Sequence, residues 1–231
     1  MMQPDPQLVA TGEAVTRTGL VHRVLRPDGT PPYPTVVMLH GRAGNEDVMW
    51  IFAQALPAEW LVLAPRALAE DPLGGYSWRI REREAWPTLA QFDVPVGAVV
   101  DFVEALPDLY GADLDHLYLM GFSQGAATAF AVAMRHPALV RGIAGLVGFL
   151  PMECDDVDLA TALKGKPVFI AVGKEDERIP YERSLECART LHLAGANLDY
   201  HEYDVGHRLN AQAMRDLQSW WQEQAQTVAV D

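Results

Sequence analysis

The pentapeptide Gly121-Phe122-Ser123-Gln124-Gly125 constrains the fold of this chain more than any other segment. An apolar run precedes it (residues 116–120) and a run of helix-forming residues follows (126–134), which predicts a strand, a sharp turn and a helix. The flanking glycines let the chain reverse tightly and leave the serine hydroxyl exposed above a sheet. Because the helix directs its positive end toward that hydroxyl, the segment predicts nucleophilic acyl chemistry.

Apolar runs that are typical of buried strands alternate with helical patterns along the chain. We expect strands at 35–39, 60–64, 116–120, 140–149, 166–172 and 198–203, and helices at 46–56, 92–110, 181–194 and 209–226. Residues 11–25 read as a hairpin or edge strands, and 65–94 as irregular chain that overhangs the site. This alternation predicts an α/β fold with a mostly parallel central sheet, helices on both faces and no separate cap domain, in one domain spanning residues 1–231.

The composition excludes several functional classes. The net charge is −13, from 31 acidic and 18 basic residues, which opposes binding to nucleic acid or to an anionic membrane. We expect no signal peptide and no stable membrane insertion, since residues 1–10 lack the signal-peptide pattern and no apolar stretch approaches eighteen residues. Cys154 and Cys187 lie far apart, which favours a reducing, cytoplasmic location. No His or Cys pair has metal-ligand spacing, so neither a metal nor a cofactor is predicted.

A serine nucleophile needs a base, and in a fold of this kind the base follows it in the chain. Four histidines follow Ser123: His136, His192, His201 and His207. The first ends the helix after the serine, the second lies within a helix, and the third lies within the last strand. Only His207 comes just after the carboxyl end of a predicted strand, where sites in such sheets form. His207 is therefore the predicted base.

The base needs a carboxylate that orients it. The loop after the strand at 166–172 carries Glu175, Asp176 and Glu177, and Asp204 lies near His207 in sequence. Asp176 is the preferred candidate, and the other three acids remain competitors. It would hold the imidazole in the right tautomer and stabilise the imidazolium ion.

The oxyanion that forms during acyl transfer needs preorganised N–H donors. One donor is expected from the backbone of Gln124, directly after the nucleophile, and the other from the backbone of Arg42 in the glycine-rich loop 39–45. His40 precedes the serine in the chain, and we interpret it as a residue that stabilises this loop.

Together these residues resemble the α/β-hydrolase superfamily, and within it the carboxylesterase/phospholipase family that includes acyl-protein thioesterases. The matching segments occur in the family's order: 39–46, 64–66, 76–78, 121–126, 148–151, Gly173-x-x-Asp176-x-x-Ile179-Pro180, and Gly206-His207. One departure is that Arg79 follows Trp78, where family members often have an aspartate.

The resemblance implies a serine hydrolase that cleaves small-molecule carboxylic esters, thioesters or lysophospholipids through an acyl-enzyme intermediate. It implies Ser123, Asp176 and His207 as the catalytic triad, and the N–H groups of Arg42 and Gln124 as the oxyanion hole. A lactone hydrolase or a peptidase with the same triad remains an alternative, as does a non-catalytic binding protein. The oligomeric state, monomer or homodimer, stays open.

Aromatic and aliphatic side chains near the expected entrance predict an apolar acyl pocket. The predicted substrate-binding residues are Trp78, Trp86, Phe92, Phe149 and Leu150. The alternative is that these side chains only pack the overhanging segment. Arg79, Arg81 and Arg83 in the charged run 79–84 offer a second alternative, recognition of an anionic substrate group.

Overall fold

The computed structural model describes residues 5–80 and 86–230, which form one large sheet with helices around it. The strands are β1 (Gln7–Val9), β2 (His22–Leu25), β3 (Tyr33–Leu39), β4 (Leu61–Pro65), β5 (Ala69–Glu70), β6 (Tyr76–Ser77), β7 (Ala112–Phe122), β8 (Gly142–Leu146), β9 (Pro167–Gly173) and β10 (Asn197–Tyr203). The helices are α1 (Glu13–Thr18), α2 (Asp93–Glu104), α3 (Leu106–Tyr110), α4 (Gln124–Arg135), α5 (Leu159–Leu163), α6 (Tyr181–Leu193) and α7 (Ala211–Val228). Short 3-10 helices span Val48–Ala55 and Leu89–Phe92.

Eight strands form the main sheet, in the order β1-β2-β4-β3-β7-β8-β9-β10. The six strands from β4 to β10 in this order are parallel, whereas β1 and β2 add an antiparallel edge. The short strands β5 and β6 form a separate hairpin. The predicted mostly parallel sheet is therefore confirmed.

Apolar side chains on alternate residues of the strands face two separate core layers. In β7, Leu117 and Leu119 lie in a layer with residues from α2, α4 and α6, whereas Tyr118 and Met120 lie in a layer with the 3-10 helix Val48–Ala55 and α7. Burial on both faces explains why the central strands are continuous apolar runs rather than alternating ones. The prediction of helices on both faces is confirmed.

Three segments differ from the sequence expectation. Residues 13–18, expected to be extended, form α1, which ends at Gly19 in the left-handed conformation. The hydroxyl of Thr18 donates to the carbonyl of Ala14 and satisfies a group within this short helix. The expected strand 140–149 is shorter, because the chain leaves the sheet after Leu146, and Val147 takes a positive φ of 41°. The expected helix at 46–56 is a 3-10 helix.

Within residues 5–80 and 86–230, every helix is too short or too polar to span a bilayer. The same residues show no cap domain separate from the sheet and its helices.

Candidate active site

The turn between β7 and α4 holds Ser123 in a backbone conformation that few residues other than glycine adopt. Its φ is 55° and its ψ is −116°. Such a conformation costs on the order of 1–3 kcal/mol and persists only where neighbouring contacts impose it. The N–H of Ser123 donates to the carbonyl of Leu146 at 2.9 Å, and its carbonyl accepts the N–H of Ala126 at 3.1 Å. The sharp turn predicted from the pentapeptide is thus present.

The two glycines of the pentapeptide are needed because backbone lies against them. A Cβ on Gly121 would lie 2.3 Å from the carbonyl oxygen of Gly125, and one on Gly125 would lie 2.0 Å from that of Leu39. Neither position has room for a side chain. The start of α4 therefore presses directly on the end of β3, the strand that leads into the glycine-rich loop.

His207 and Asp176 form the shortest contact of the site. The Nδ1 atom of His207 lies 2.6 Å from Oδ2 of Asp176, and both side chains are at most one tenth exposed. The other oxygen of Asp176 accepts the backbone N–H groups of Arg178 at 2.8 Å and Ile179 at 3.0 Å. The carboxylate is thereby fixed from both sides and can orient the imidazole.

The three competing acids lie elsewhere. Asp204 pairs with Lys174 at 2.6 Å, and Glu175 and Glu177 are exposed. Of the four acids considered from the sequence, Asp176 is the one that the structure brings to His207.

Ser123 and His207 follow the carboxyl ends of β7 and β10, at the same edge of the sheet. The ring of Phe122, the residue before Ser123, packs edge-to-face on the ring of His207 with centroids 5.1 Å apart. Within the described residues, the Ser123 hydroxyl and the imidazole of His207 form no hydrogen bond. Such bonds are often long in the free enzyme and tighten when substrate binds, so the arrangement still suits a nucleophile and its base.

The glycine-rich loop after β3 lies against Ser123. A Cβ on Gly41 would lie 3.3 Å from the Cβ of Ser123, so the loop backbone is adjacent to the serine. Neither the N–H of Arg42 nor that of Gln124 donates to another group in residues 5–80 and 86–230. Two unused donors beside a serine are what an oxyanion hole requires.

His40 stabilises this loop through hydrogen bonds of both ring nitrogens. It is fully buried, its Nδ1 lies 2.7 Å from the carbonyl of Gly41, and its Nε2 accepts the N–H of Ala67 at 3.0 Å. Burial lowers the pKa of His40 to about 4, so the ring is neutral at pH 7. These contacts match the loop-stabilising role that the sequence indicates.

The side chain of Gln124 connects the overhanging segment to the start of α4. Its Oε1 accepts the N–H of Trp78 at 2.9 Å, and its Nε2 donates to the carbonyl of Arg79 at 2.8 Å. The indole of Trp78 donates in turn to the carbonyl of His40 at 2.9 Å. Trp78 is 2% exposed, so it joins the two loops rather than presenting a face to a ligand in this conformation.

The predicted substrate-binding residues fall into two groups. Phe92 is completely buried in the core beside α2. Trp78 is buried as well. Trp86 is half-buried, and its ring packs edge-to-face on Phe149 with centroids 5.0 Å apart. Leu150 follows in the same turn, and the segment pairs with the overhang through the N–H of Leu89 and the carbonyl of Met152 at 2.7 Å. Phe149 and Leu150 are buried as well, at 6% and 5% exposed, so of the five side chains only Trp86 is partly accessible to a ligand in this conformation.

Residues 81–84 of the charged run lie outside the described residues. The alternative role of Arg81 and Arg83 in recognising an anionic group therefore stays a prediction. Arg79 lies within hydrogen-bond distance of Gln91, at 3.3 Å.

Sequence reasoning missed two supporting side chains. Arg183 of α6 places its guanidinium 5.2 Å from the centre of the Trp86 ring and donates to the carbonyl of Leu150 at 2.9 Å. Asp71, in the overhanging segment, pairs with Arg42 at 2.8 Å. Both lie in charged or irregular stretches where no pattern distinguishes a buried charge from a solvated one.

A surface groove of about 600 Å³ lies at the opposite, amino-terminal edge of the sheet, near Lys166 and Pro167. None of the predicted triad residues lines it. The ammonium group of Lys166 is already held by the carbonyls of Pro137 and Val140, each at 2.6 Å. This groove therefore does not replace the site above Ser123.

Comparison with known proteins relates the chain to esterases and thioesterases. Residues 96–224 match the family model described as phospholipase/carboxylesterase. Acyl-protein thioesterase 1 of Yarrowia lipolytica is 25% identical over 226 residues, which cover 84% of this chain and 98% of that protein. A probable carboxylesterase, SOBER1-like, of Arabidopsis thaliana is 25% identical over 119 residues, 51% of this chain. The chain spans a little under half the length of two of its curated relatives, 45% and 43%.

Solved structures show the same architecture. The carboxylesterase of Bacillus cereus superposes with a TM-score of 0.78 at 21% identity, over 92% of this chain and 100% of that one. A carboxylesterase from Mesorhizobium loti gives a TM-score of 0.77 at 20% identity, over 94% and 98%. At this identity the likeness establishes a common fold.

Proposed function

The chain belongs to the phospholipase/carboxylesterase family, and from that membership we propose that it hydrolyses carboxylic esters with Ser123 as nucleophile, His207 as base and Asp176 as its partner. The family resemblance and the α/β-hydrolase fold inferred from the sequence are confirmed by the family match and the shared architecture. The inferred class of enzyme agrees with the names of the relatives. The catalytic roles of individual residues belong to the proposal.

One observation carries the proposal: a carboxylate-bound histidine packs on Phe122, the residue directly before a serine held on a strained turn. The 2.6 Å contact between Asp176 and His207 keeps Nδ1 protonated and leaves Nε2 as the basic nitrogen. Phe122 links the two halves of the site, because it precedes Ser123 and packs on the imidazole. This geometry favours removal of the Ser123 proton during attack.

The reaction proceeds in two steps, acylation of Ser123 and hydrolysis of the acyl-serine. Ser123 Oγ attacks the ester carbonyl while His207 takes its proton, and the negative oxygen is bound by the N–H groups of Arg42 and Gln124. The tetrahedral intermediate then collapses, and His207 gives the proton to the leaving alkoxide or thiolate, which leaves an acyl-serine. Water, deprotonated by the same histidine, attacks the acyl-serine, and return of the proton to Ser123 releases the acid.

The substrate is proposed to be a small ester or thioester with an apolar acyl group. Support comes from an apolar wall on segments next to the Ser123 turn, where the half-buried ring of Trp86 packs on Phe149, and Phe149 and the following Leu150 are buried behind the surface. A Cβ on Gly148 would lie 3.3 Å from the carbonyl oxygen of Ser123, so this wall begins beside the reacting serine. Each buried CH₂ contributes about 0.8 kcal/mol to binding of such a group.

A fluorophosphonate probe combined with an ester panel tests the proposal. We expect covalent labelling of Ser123, mapped by mass spectrometry, and hydrolysis of 4-nitrophenyl esters. Ser123→Ala should abolish labelling and lower kcat by about four to six orders of magnitude. Ser219→Ala, the same substitution at an exposed position of α7, serves as a matched control with normal turnover. Labelling at another residue, or normal turnover by Ser123→Ala, would contradict the proposal.

A further inference from the structure

The hairpin formed by β5 and β6 is docked on the glycine-rich loop at consecutive residues. The N–H of Tyr76 donates to the carbonyl of Gly44 at 2.7 Å, and a Cβ on Gly75 would lie 2.4 Å from the carbonyl oxygen of Ala43. The side chain of Arg42 is bound to the carboxylate of Asp71. The loop is thus braced by the hairpin as well as by His40.

Asp71 is the centre of this brace. Its side chain has no solvent exposure and accepts four hydrogen bonds. Oδ2 receives the Nε–H of Arg42 at 2.8 Å and the hydroxyl of Ser77 at 2.7 Å. Oδ1 receives the N–H of Leu73 at 2.9 Å and the Nη2 group of Arg42 at 3.3 Å. These donors, the Arg42 guanidinium foremost, lower the pKa of Asp71 to about 2, so the carboxylate is charged throughout the working pH range.

Ser77 links Asp71 to the backbone of the glycine-rich loop. Its hydroxyl donates a hydrogen bond to Asp71, and its oxygen accepts the N–H of Ala43 at 3.2 Å. Ala43 has a positive φ of 60°, a conformation that a free loop rarely keeps. The hydrogen bond to Ser77 and the ion pair with Asp71 therefore hold two successive residues of the loop, Ala43 and Arg42.

We propose that Asp71 is a positioning residue that fixes the oxyanion donor of Arg42, acting through the Arg42 guanidinium and through Ser77. The inference rests on the proposed function, in which the N–H of Arg42 binds the oxyanion. Asp71 touches no reacting atom. The ion pair also occupies the Arg42 side chain, which leaves the backbone rather than the guanidinium of this residue to serve the substrate.

Asp71→Asn tests this role. An amide has one neutral acceptor oxygen in place of two charged ones, so two of the four donors lose their acceptor, the other two keep only a neutral one, and the loop relaxes. Removing one oxyanion donor costs about 100- to 1,000-fold in kcat, and misplacing it should cost less. We expect kcat to fall about 10- to 100-fold while KM changes less than about threefold, because the carbonyl oxygen becomes charged only in the transition state.

Two inhibitors separate misplacement from general damage. A boronic acid analogue of the substrate forms a tetrahedral adduct at the serine and uses the oxyanion hole. Its Ki should rise by the same factor by which kcat/KM falls. An ether analogue, which lacks the carbonyl oxygen, should bind Asp71→Asn as tightly as the unaltered enzyme. Rates are expressed per serine that a fluorophosphonate titrates at completion, so that misfolded protein does not enter the comparison.

Asp113→Asn is the matched control. The side chain of Asp113 lies at the amino-terminal end of β7, far from the loop, where it accepts the N–H of Asp115 at 3.0 Å and lies 2.8 Å from Nδ1 of His116. It should lower the melting temperature without the coupled change in kcat and boronate Ki. If Asp71→Asn does not fold, Ser77→Ala is the test variant, with an expected loss in kcat of about 5- to 10-fold. If both variants fold, the loss in kcat of the double variant should be smaller than the product of the two single losses.

The outcomes distinguish the two proposals. Unaltered enzyme that neither labels with the fluorophosphonate nor hydrolyses esters overturns the proposed function. Unaltered enzyme that labels and turns over, beside an Asp71→Asn variant whose kcat per titrated site and boronate Ki are unchanged, overturns the role of Asp71 alone.

Discussion

The carboxylate of Asp176 reaches Nδ1 of His207 at 2.6 Å while its other oxygen is held by two backbone N–H groups. The loops that carry the two residues are themselves paired, since the N–H of Glu175 donates to the carbonyl of Val205 at 3.0 Å. The imidazole therefore has one orientation and one tautomer, with Nε2 directed away from the acid.

Asp176→Asn should leave the fold intact and remove this control. The amide can present its NH₂ group to Nδ1, which stabilises the wrong tautomer, and kcat should fall by about 10⁴-fold. The measurement is kcat for a 4-nitrophenyl ester at pH 7.5, with circular dichroism to verify folding. Glu177→Gln, an exposed position in the same loop, is the matched control and should retain normal kcat. Equal losses in the two variants would contradict a specific role for Asp176.

Gly125→Ala should destabilise the protein severely. The added Cβ would lie 2.0 Å from the carbonyl oxygen of Leu39, which is backbone and cannot rotate away. Overpacking of this kind costs about 1–3 kcal/mol and here should reach or exceed the upper value, measured as the free energy of unfolding in urea.

The same substitution at Gly97 provides the control. This glycine lies exposed within α2, and a Cβ there meets no atom within 4 Å. Because alanine is the better helix former, Gly97→Ala should raise the free energy of unfolding by about 0.5–1 kcal/mol. Similar changes in the free energy of unfolding for the two substitutions would contradict the steric clash expected at Gly125.

His40 should make stability depend on pH in the acidic range. Its pKa is about 4 in the folded protein and near 6.5 when unfolded, so only the unfolded chain takes up the proton between these values. The free energy of unfolding should therefore fall as the pH drops from 6.5 to 4, by about 2–3 kcal/mol, at about 1.4 kcal/mol per pKa unit. Urea titrations across this range measure the slope. His40→Gln should flatten it, whereas His192→Gln, at an exposed position on α6, should leave it unchanged.

Trp86→Ala should change specificity rather than chemistry. Its ring packs on Phe149 at 5.0 Å and lies beneath the guanidinium of Arg183, so its removal opens the apolar wall. We expect kcat/KM for octanoyl esters to fall about 10- to 100-fold and that for acetyl esters to change less than about threefold. Leu193→Ala, at an exposed position on α6, is the control. Uniform losses across the acyl series would show that Trp86 only supports the fold.

The central strands and the turn at Ser123 can be predicted from the sequence because both depend on regular residue patterns. Continuous apolar runs indicate central strands, and the glycine spacing around Ser123 indicates the turn. The helix α1 was not predicted, because six residues without a clear period carry too little signal and its ends depend on Gly12 and Gly19.

The candidate site likewise has features that the sequence predicts and features that it does not. The pairing of Asp176 with His207 follows from chain order and strand ends, so it is readable in advance. The burial of Asp71 and the stacking of Arg183 on Trp86 depend on how the irregular segment folds back, which no local pattern encodes. Trp78 and Phe92 were expected at the entrance, but composition alone does not separate an aromatic ring that faces a cavity from one that fills the core.

Leu39 and Gly121 are directly paired neighbours in the parallel strands β3 and β7. Neighbouring strands lie about 4.8 Å apart, so the loop after one strand and the serine after the other inherit their separation from the sheet itself. The proposed reacting groups are consequently built on the sheet, whereas the proposed substrate contacts lie on segments outside it. A directed-evolution library confined to Met152 and the exposed or half-buried positions among residues 86–94 would therefore leave the strand pairing that sets this spacing unchanged.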